Sequence, residues 1–111
     1  MIEKYLYDYL NSVLNVPVYM ERPADCPKTF VLFERTGGNI RDHVKHATIA
    51  VQSYASSMYG AMSLNEEVVS FMEDAITVQE ITSVKVNGYY NYTNTQTKEY
   101  RYQAVFEITY Y

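Results

Sequence analysis

Apolar residues at Ile2, Tyr5, Leu6, Tyr9, Leu10, Val13 and Leu14 recur with helical spacing, while Glu3 and Asp8 face the other way. This predicts an opening amphipathic helix, ended by Pro17 because the residue before a proline is pushed out of the α region. Val16 to Tyr19 reads as a short strand; Pro17 restricts it to an edge or a strand start. Met20 to Lys28 carries Pro23 and Pro27 around Asp25 and reads as a loop. Thr29 to Thr36 is a strand with Phe30 and Leu32 on one side and Val31 and Phe33 on the other, so both faces are expected to be covered at its start. Gly37-Gly38-Asn39 is expected to break that strand, leaving Ile40 to His43 as a hairpin tip or mobile arm.

Lys45 to Ala55 alternates cleanly. Ala47, Ile49, Val51 and Ser53 share one face, and Thr48, Ala50, Gln52 and Tyr54 the other. Ser56 or Ser57 can then cap a second helix by accepting a bond from an orphan backbone N–H. That helix is predicted from Met58 to Ile76, with Met58, Ala61, Met62, Asn65, Val68, Val69, Met72, Ala75 and Ile76 inward and Glu66, Glu67, Glu73 and Asp74 outward. Ile81 to Val86 alternates again and leads into Tyr89 to Tyr92. Asn87-Gly88 between them is either a tight turn or a bulge, and the bulge is preferred because the polar run Thr93 to Thr97 makes the better hairpin tip. Lys98 to Tyr111 is the last strand. Tyr100, Tyr102, Ala104, Phe106, Ile108 and Tyr110 line one face; Arg101, Gln103, Val105, Glu107 and Thr109 line the other. The order α-β-β-β-α-β-β predicts one α+β domain: a mostly antiparallel sheet with two helices packed on one face.

Composition narrows the function classes. The chain has 111 residues, a length for one core. Its net charge of -4 and scattered basic residues argue against a protein that wraps nucleic acid, which needs clustered Lys and Arg. The single cysteine, Cys26, excludes an internal disulfide, and the charged opening MIEKYLYDYL lacks the apolar run of a signal peptide. A cytoplasmic setting is therefore expected, in which the sequon Asn91-Tyr92-Thr93 is a chance match. Thirteen tyrosines without a tryptophan suit half-exposed strands and protein interfaces alike.

No catalytic constellation emerges. Cys26 has no family signature around it, and the histidines His43 and His46 lie in a different loop and strand. Their i, i+3 spacing would chelate a metal on a helix, but the region reads as loop entering strand, with no third ligand nearby. The glutamates of the second helix are explained by solvation, and Gly37-Gly38 lacks the spacing of a phosphate loop. The reading is of a non-enzymatic protein needing no cofactor and no metal.

Three stretches carry a resemblance: Thr29 to Gly38 (TFVLFERTGG), Ala47 to Ala55 with the following LNEEV of Leu64 to Val68, and Tyr100 to Ile108 (YRYQAVFEI). With the opening helix they span nearly the whole chain. In length, order and texture the chain resembles the tail terminator, or tail-to-head joining, proteins of long-tailed phages and prophages of Gram-positive bacteria. The resemblance implies a ring, typically six-fold, at the head-proximal end of the tail tube. Its partners would be other copies of itself, the tail tube protein and the head connector proteins. DNA would pass through without being specifically bound, and the site of action would be the host cytoplasm during assembly and then the virion. A ring needs a heterologous interface. The candidate surfaces are the arm with Gly37, Gly38, Ile40, Arg41, His43 and Lys45, the tip from Tyr92 to Lys98, and the outward face of the last strand with Arg101, Gln103, Glu107 and Thr109. Tyr89, Tyr90, Tyr92, Tyr100 and Tyr102 are expected to cluster around the tip as interface anchors. The alternatives are another connector or head completion protein, or a small module recruiting a host partner through an exposed strand edge.

Overall fold

The computed structural model describes residues 2–25, 27–41, 44–75, 81–94 and 96–110. Its elements are α1 (Ile2–Val13), β1 (Val18–Tyr19), β2 (Phe30–Arg41), β3 (Val44–Ala55), α2 (Met58–Asp74), β4 (Ile81–Asn91) and β5 (Tyr100–Tyr110). This is the expected α+β order. The five strands form one sheet in the order β1-β2-β3-β5-β4, antiparallel except for the short β1–β2 pair.

Alternation along each strand divides the sheet into two unlike faces. Val31, Phe33, Ile49, Val51, Phe106 and Ile108 meet Ile2, Leu6 and Leu10 of α1 and Leu64, Val68 and Met72 of α2 in one hydrophobic core. The burial of Ile2, Leu6 and Leu10, four residues apart, fixes the inward stripe of α1. Tyr5, expected in that stripe, is exposed. Tyr9 sits at the margin, where its hydroxyl donates to the Phe71 carbonyl at 2.8 Å and ties α1 to α2. In α2 the stripe is rotated from the expected one: Leu64 is buried and Met62 is exposed. Leu64 lies one turn from both Ala61 and Val68, so the sheet-facing row passes through it and leaves Met62 at the rim. Ser57 is the cap, its Oγ accepting from Gly60 N at 3.0 Å. The expected inward position of Ile76 lies outside the described residues.

Gly37-Gly38-Asn39 does not break β2. The strand runs through to Arg41, paired with β3 down to Arg41↔Val44, and absorbs the irregularity as a bulge between Arg35 and Gly37. Of the two expectations for Ile40 to His43, the described part fits the end of a hairpin and not a mobile arm: β2 and β3 stay paired to Arg41↔Val44, and β5 follows β3 as far as Lys45↔Tyr110. Gly38 is needed there. A Cβ would stand 2.7 Å from the His46 carbonyl oxygen and closer still to the Arg35 guanidinium, which lies across this position. Asn87-Gly88 is a bulge inside β4, with the register shifting between Val86 and Gly88. The hairpin tip falls at residues 92–99, closed by the Asn94↔Glu99 bridge, and the Asn94 side chain accepts from Gln96 N at 3.1 Å.

Candidate interaction surfaces

The open face of the sheet carries a network of aromatic and charged groups. Phe30 stacks on Tyr54 with ring centres 4.4 Å apart, and Tyr19 meets Phe30 edge-on. Arg22 and Arg101 both lie against this stack, 5.4 and 5.8 Å from the Tyr54 ring, and Arg101 also covers Tyr92 at 4.5 Å. Glu99 accepts two bonds from Arg22, at 3.0 and 2.6 Å, and one from Arg101 at 3.4 Å. A hydrogen-bond chain continues across the strands: Tyr54 Oη donates to Gln52 at 2.8 Å, Gln52 to Gln103 at 2.8 Å, and Gln103 to the Tyr90 hydroxyl. The cluster pins the loop before β2 to the β4–β5 tip. Beside it a hollow of about 330 Å³ is lined by Lys28, Lys98 and Glu99 over Phe30 and Tyr54.

The Arg22 bonds and charge, with that of Arg101, hold the Glu99 carboxyl below its ordinary pKa against the opposing effect of burial. Glu99 therefore contributes stability that is fully present above the ordinary carboxylate range and is lost as pH falls through its depressed folded value. Glu99→Gln is expected to lower stability at neutral pH, and the gap to the wild type should close on acidification. Urea unfolding across an acid series checks this; a gap independent of pH would refute it.

The predicted interface residues do not form one site. Gly37, Gly38, Ile40 and Lys45 lie at one end of the sheet. There Lys45 Nζ stands 5.9 Å from the Tyr110 ring, and Ile40 is 71% exposed. Arg41 ends β2, and His43 lies outside the described residues, as does Cys26. Tyr90, Tyr92 and Arg101 belong to the open-face cluster near the opposite end. Tyr89, Tyr100 and Tyr102 fall on the helix side, since successive strand residues point to opposite faces. The expected tyrosine cluster is therefore split by the sheet.

Two features were left open by the sequence. One is which strands form the exposed sheet edges that were expected as contact surfaces. β4 is a full-length edge strand, and among the described residues no strand pairs with the outer edge of β2, the side away from β3, beyond Leu32. The other is a groove of about 320 Å³ between α2 and β4, lined by Asn65, Glu66, Val69, Ser70, Glu73, Asp74 and Tyr89. Asn65 is 1% exposed, and its Oδ1 has no hydrogen-bond partner among the described residues. The sequence signal was an Asn on the inward stripe of a helix, where a polar side chain demands a partner.

Among the described residues, no group of three or more His, Cys, Asp or Glu side chains converges as a metal site, and no helix is long and apolar enough to cross a membrane. No protein-family model and no curated protein matches the chain.

Proposed function

We propose that this chain is a non-enzymatic virion assembly protein that forms a ring by head-to-tail contact between copies. In this reading it is a tail terminator or tail-to-head joining protein at the head-proximal end of a phage tail tube. The observation that carries it is the pair of unlike free edges, β4 on one side of the sheet and β2 beyond Leu32 on the other. A long edge presents unpaired N–H and C=O groups and invites another strand. Two different edges on opposite sides favour a heterologous contact, which closes into a ring when the rotation between copies allows. The resemblance in length and element order supplies the tail and the head connector as partners. The net charge of -4 suits a ring that lets DNA pass without gripping it.

Light scattering on size-exclusion fractions, with electron microscopy of the purified protein alone and with tail tube protein, tests the reading. Rings or a defined oligomer are expected in at least one condition. A monomer in both would end it. The same edges suit a module that recruits a host protein. A stoichiometric host partner with no self-association would decide for that alternative.

A further inference from the structure

We propose that the β4 edge is completed by β2 of a second copy, added antiparallel. The acidic groove between α2 and β4 then takes the Arg35 side chain of that copy. The inference rests on the self-assembly reading above and names the junction.

Strand direction comes first. Three antiparallel steps, β2–β3, β3–β5 and β5–β4, separate the two edges, so β4 runs opposite to β2. Copies arranged around an axis along the strands keep the same strand orientation. The β2 of one would then meet the β4 of the next antiparallel, the slightly more stable pairing. The bulge at Asn87-Gly88 is the feature of β4 that a joining strand must follow. β4 contains no proline, and its only charged residue, Lys85, sits opposite Glu107 in the β5 register.

The groove supplies recognition. α2 contains no Lys or Arg, and Glu73 stands in its last turn, where the negative end of the helix dipole disfavours a carboxylate. Glu66 and Glu73 are exposed at the groove, and the buried Asn65 beneath them has an acceptor without a partner. Carboxylates, an unmet acceptor and the half-exposed Tyr89 ring together suit a planar cation with several donors, which is an arginine side chain.

Register brings Arg35 to this place. Val86 pairs with Phe106, Phe106 with Ile49 and Ile49 with Arg35, so Arg35 and Val86 lie on one line across the helix side of the sheet. Tyr89, opposite Ala104, is the next helix-side position along β4. A neighbour set beside β4 without axial shift therefore brings Arg35 alongside Val86, within a side chain's length of the groove. The guanidinium has five N–H groups, more than its bonds to Glu3, the Gly37 carbonyl and Tyr110 use.

Hydrogen exchange on the full chain over a range of concentrations tests the junction, alongside light scattering. Peptides covering β4 and residues 33–41 should gain protection together as the oligomer forms. Glu66→Gln with Glu73→Gln should weaken association about tenfold, a change of about 1.4 kcal/mol. Protection of β4 without β2, or an oligomer with β4 still exchanging, overturns this junction and leaves self-assembly standing. Unchanged association of the double variant removes the groove from it. A protein that stays monomeric throughout overturns the self-assembly reading itself.

Discussion

Phe106→Ala is expected to cost about 3–5 kcal/mol of folding stability, among the largest single effects in this chain. Phe106 is fully buried at the middle of β5, paired with Ile49 on one side and Val86 on the other. Its ring belongs to the core shared with α1 and α2, so its loss leaves a cavity where the helix layer meets the sheet. A domain of this size has about 5–15 kcal/mol in total, so the variant should be near the limit of folding at 37 °C. The urea midpoint should fall with little change in slope. Glu107→Ala, one residue on and exposed on the open face, should stay within about 0.5 kcal/mol of wild type. A Phe106→Ala cost near 1 kcal/mol would mean that the core does not close over this position.

The second large effect concerns two adjacent glycines that look alike in sequence. Gly38→Ala is expected to destabilise by about 1–3 kcal/mol, because its Cβ meets the His46 carbonyl of the paired strand as well as the Arg35 guanidinium. Arg35 can swing aside, but the carbonyl is held by the β2–β3 ladder. Gly37→Ala meets nothing within 4 Å and should be neutral or stabilising by about 0.4–1 kcal/mol, through the unfolded chain. Thermal and urea unfolding of the two variants side by side gives the answer. Equal stabilities would show that the close approach at Gly38 is not maintained in solution.

Displacing Arg35 at Gly38 also bears on assembly, since the same guanidinium is assigned to the groove of the neighbouring copy. Gly38→Ala is thus a probe of both the sheet end and the junction. Gly37→Ala serves as its matched control.

Much of the fold was legible along the chain because local rules and tertiary packing agree. Periodicity placed both helices and the long strands, the Thr93 to Thr97 tip and the bulge at Asn87-Gly88 were read from turn chemistry, and Ser57 was one of two cap candidates. Alternation correctly assigned the faces of β3 and β5. The errors arose where the neighbour decides. Gly37-Gly38 carries a breaker signal, yet β3 supplies a partner strand that holds the segment extended. Leu64 and Met62 both suit an apolar stripe, and the sheet's position selects Leu64.

By itself, then, the sequence determined the elements, their order and the division of faces along β3 and β5, because these depend on residue spacing and on backbone preferences a few residues long. Tertiary structure alone decided that the tyrosines divide between two faces, that Glu99 joins Arg22 to Arg101, and that Asn65 lies under an acidic groove beside an unpaired edge. Those relations join residues far apart in the chain, and strand order, which fixes which edges remain open, leaves no local periodic signal.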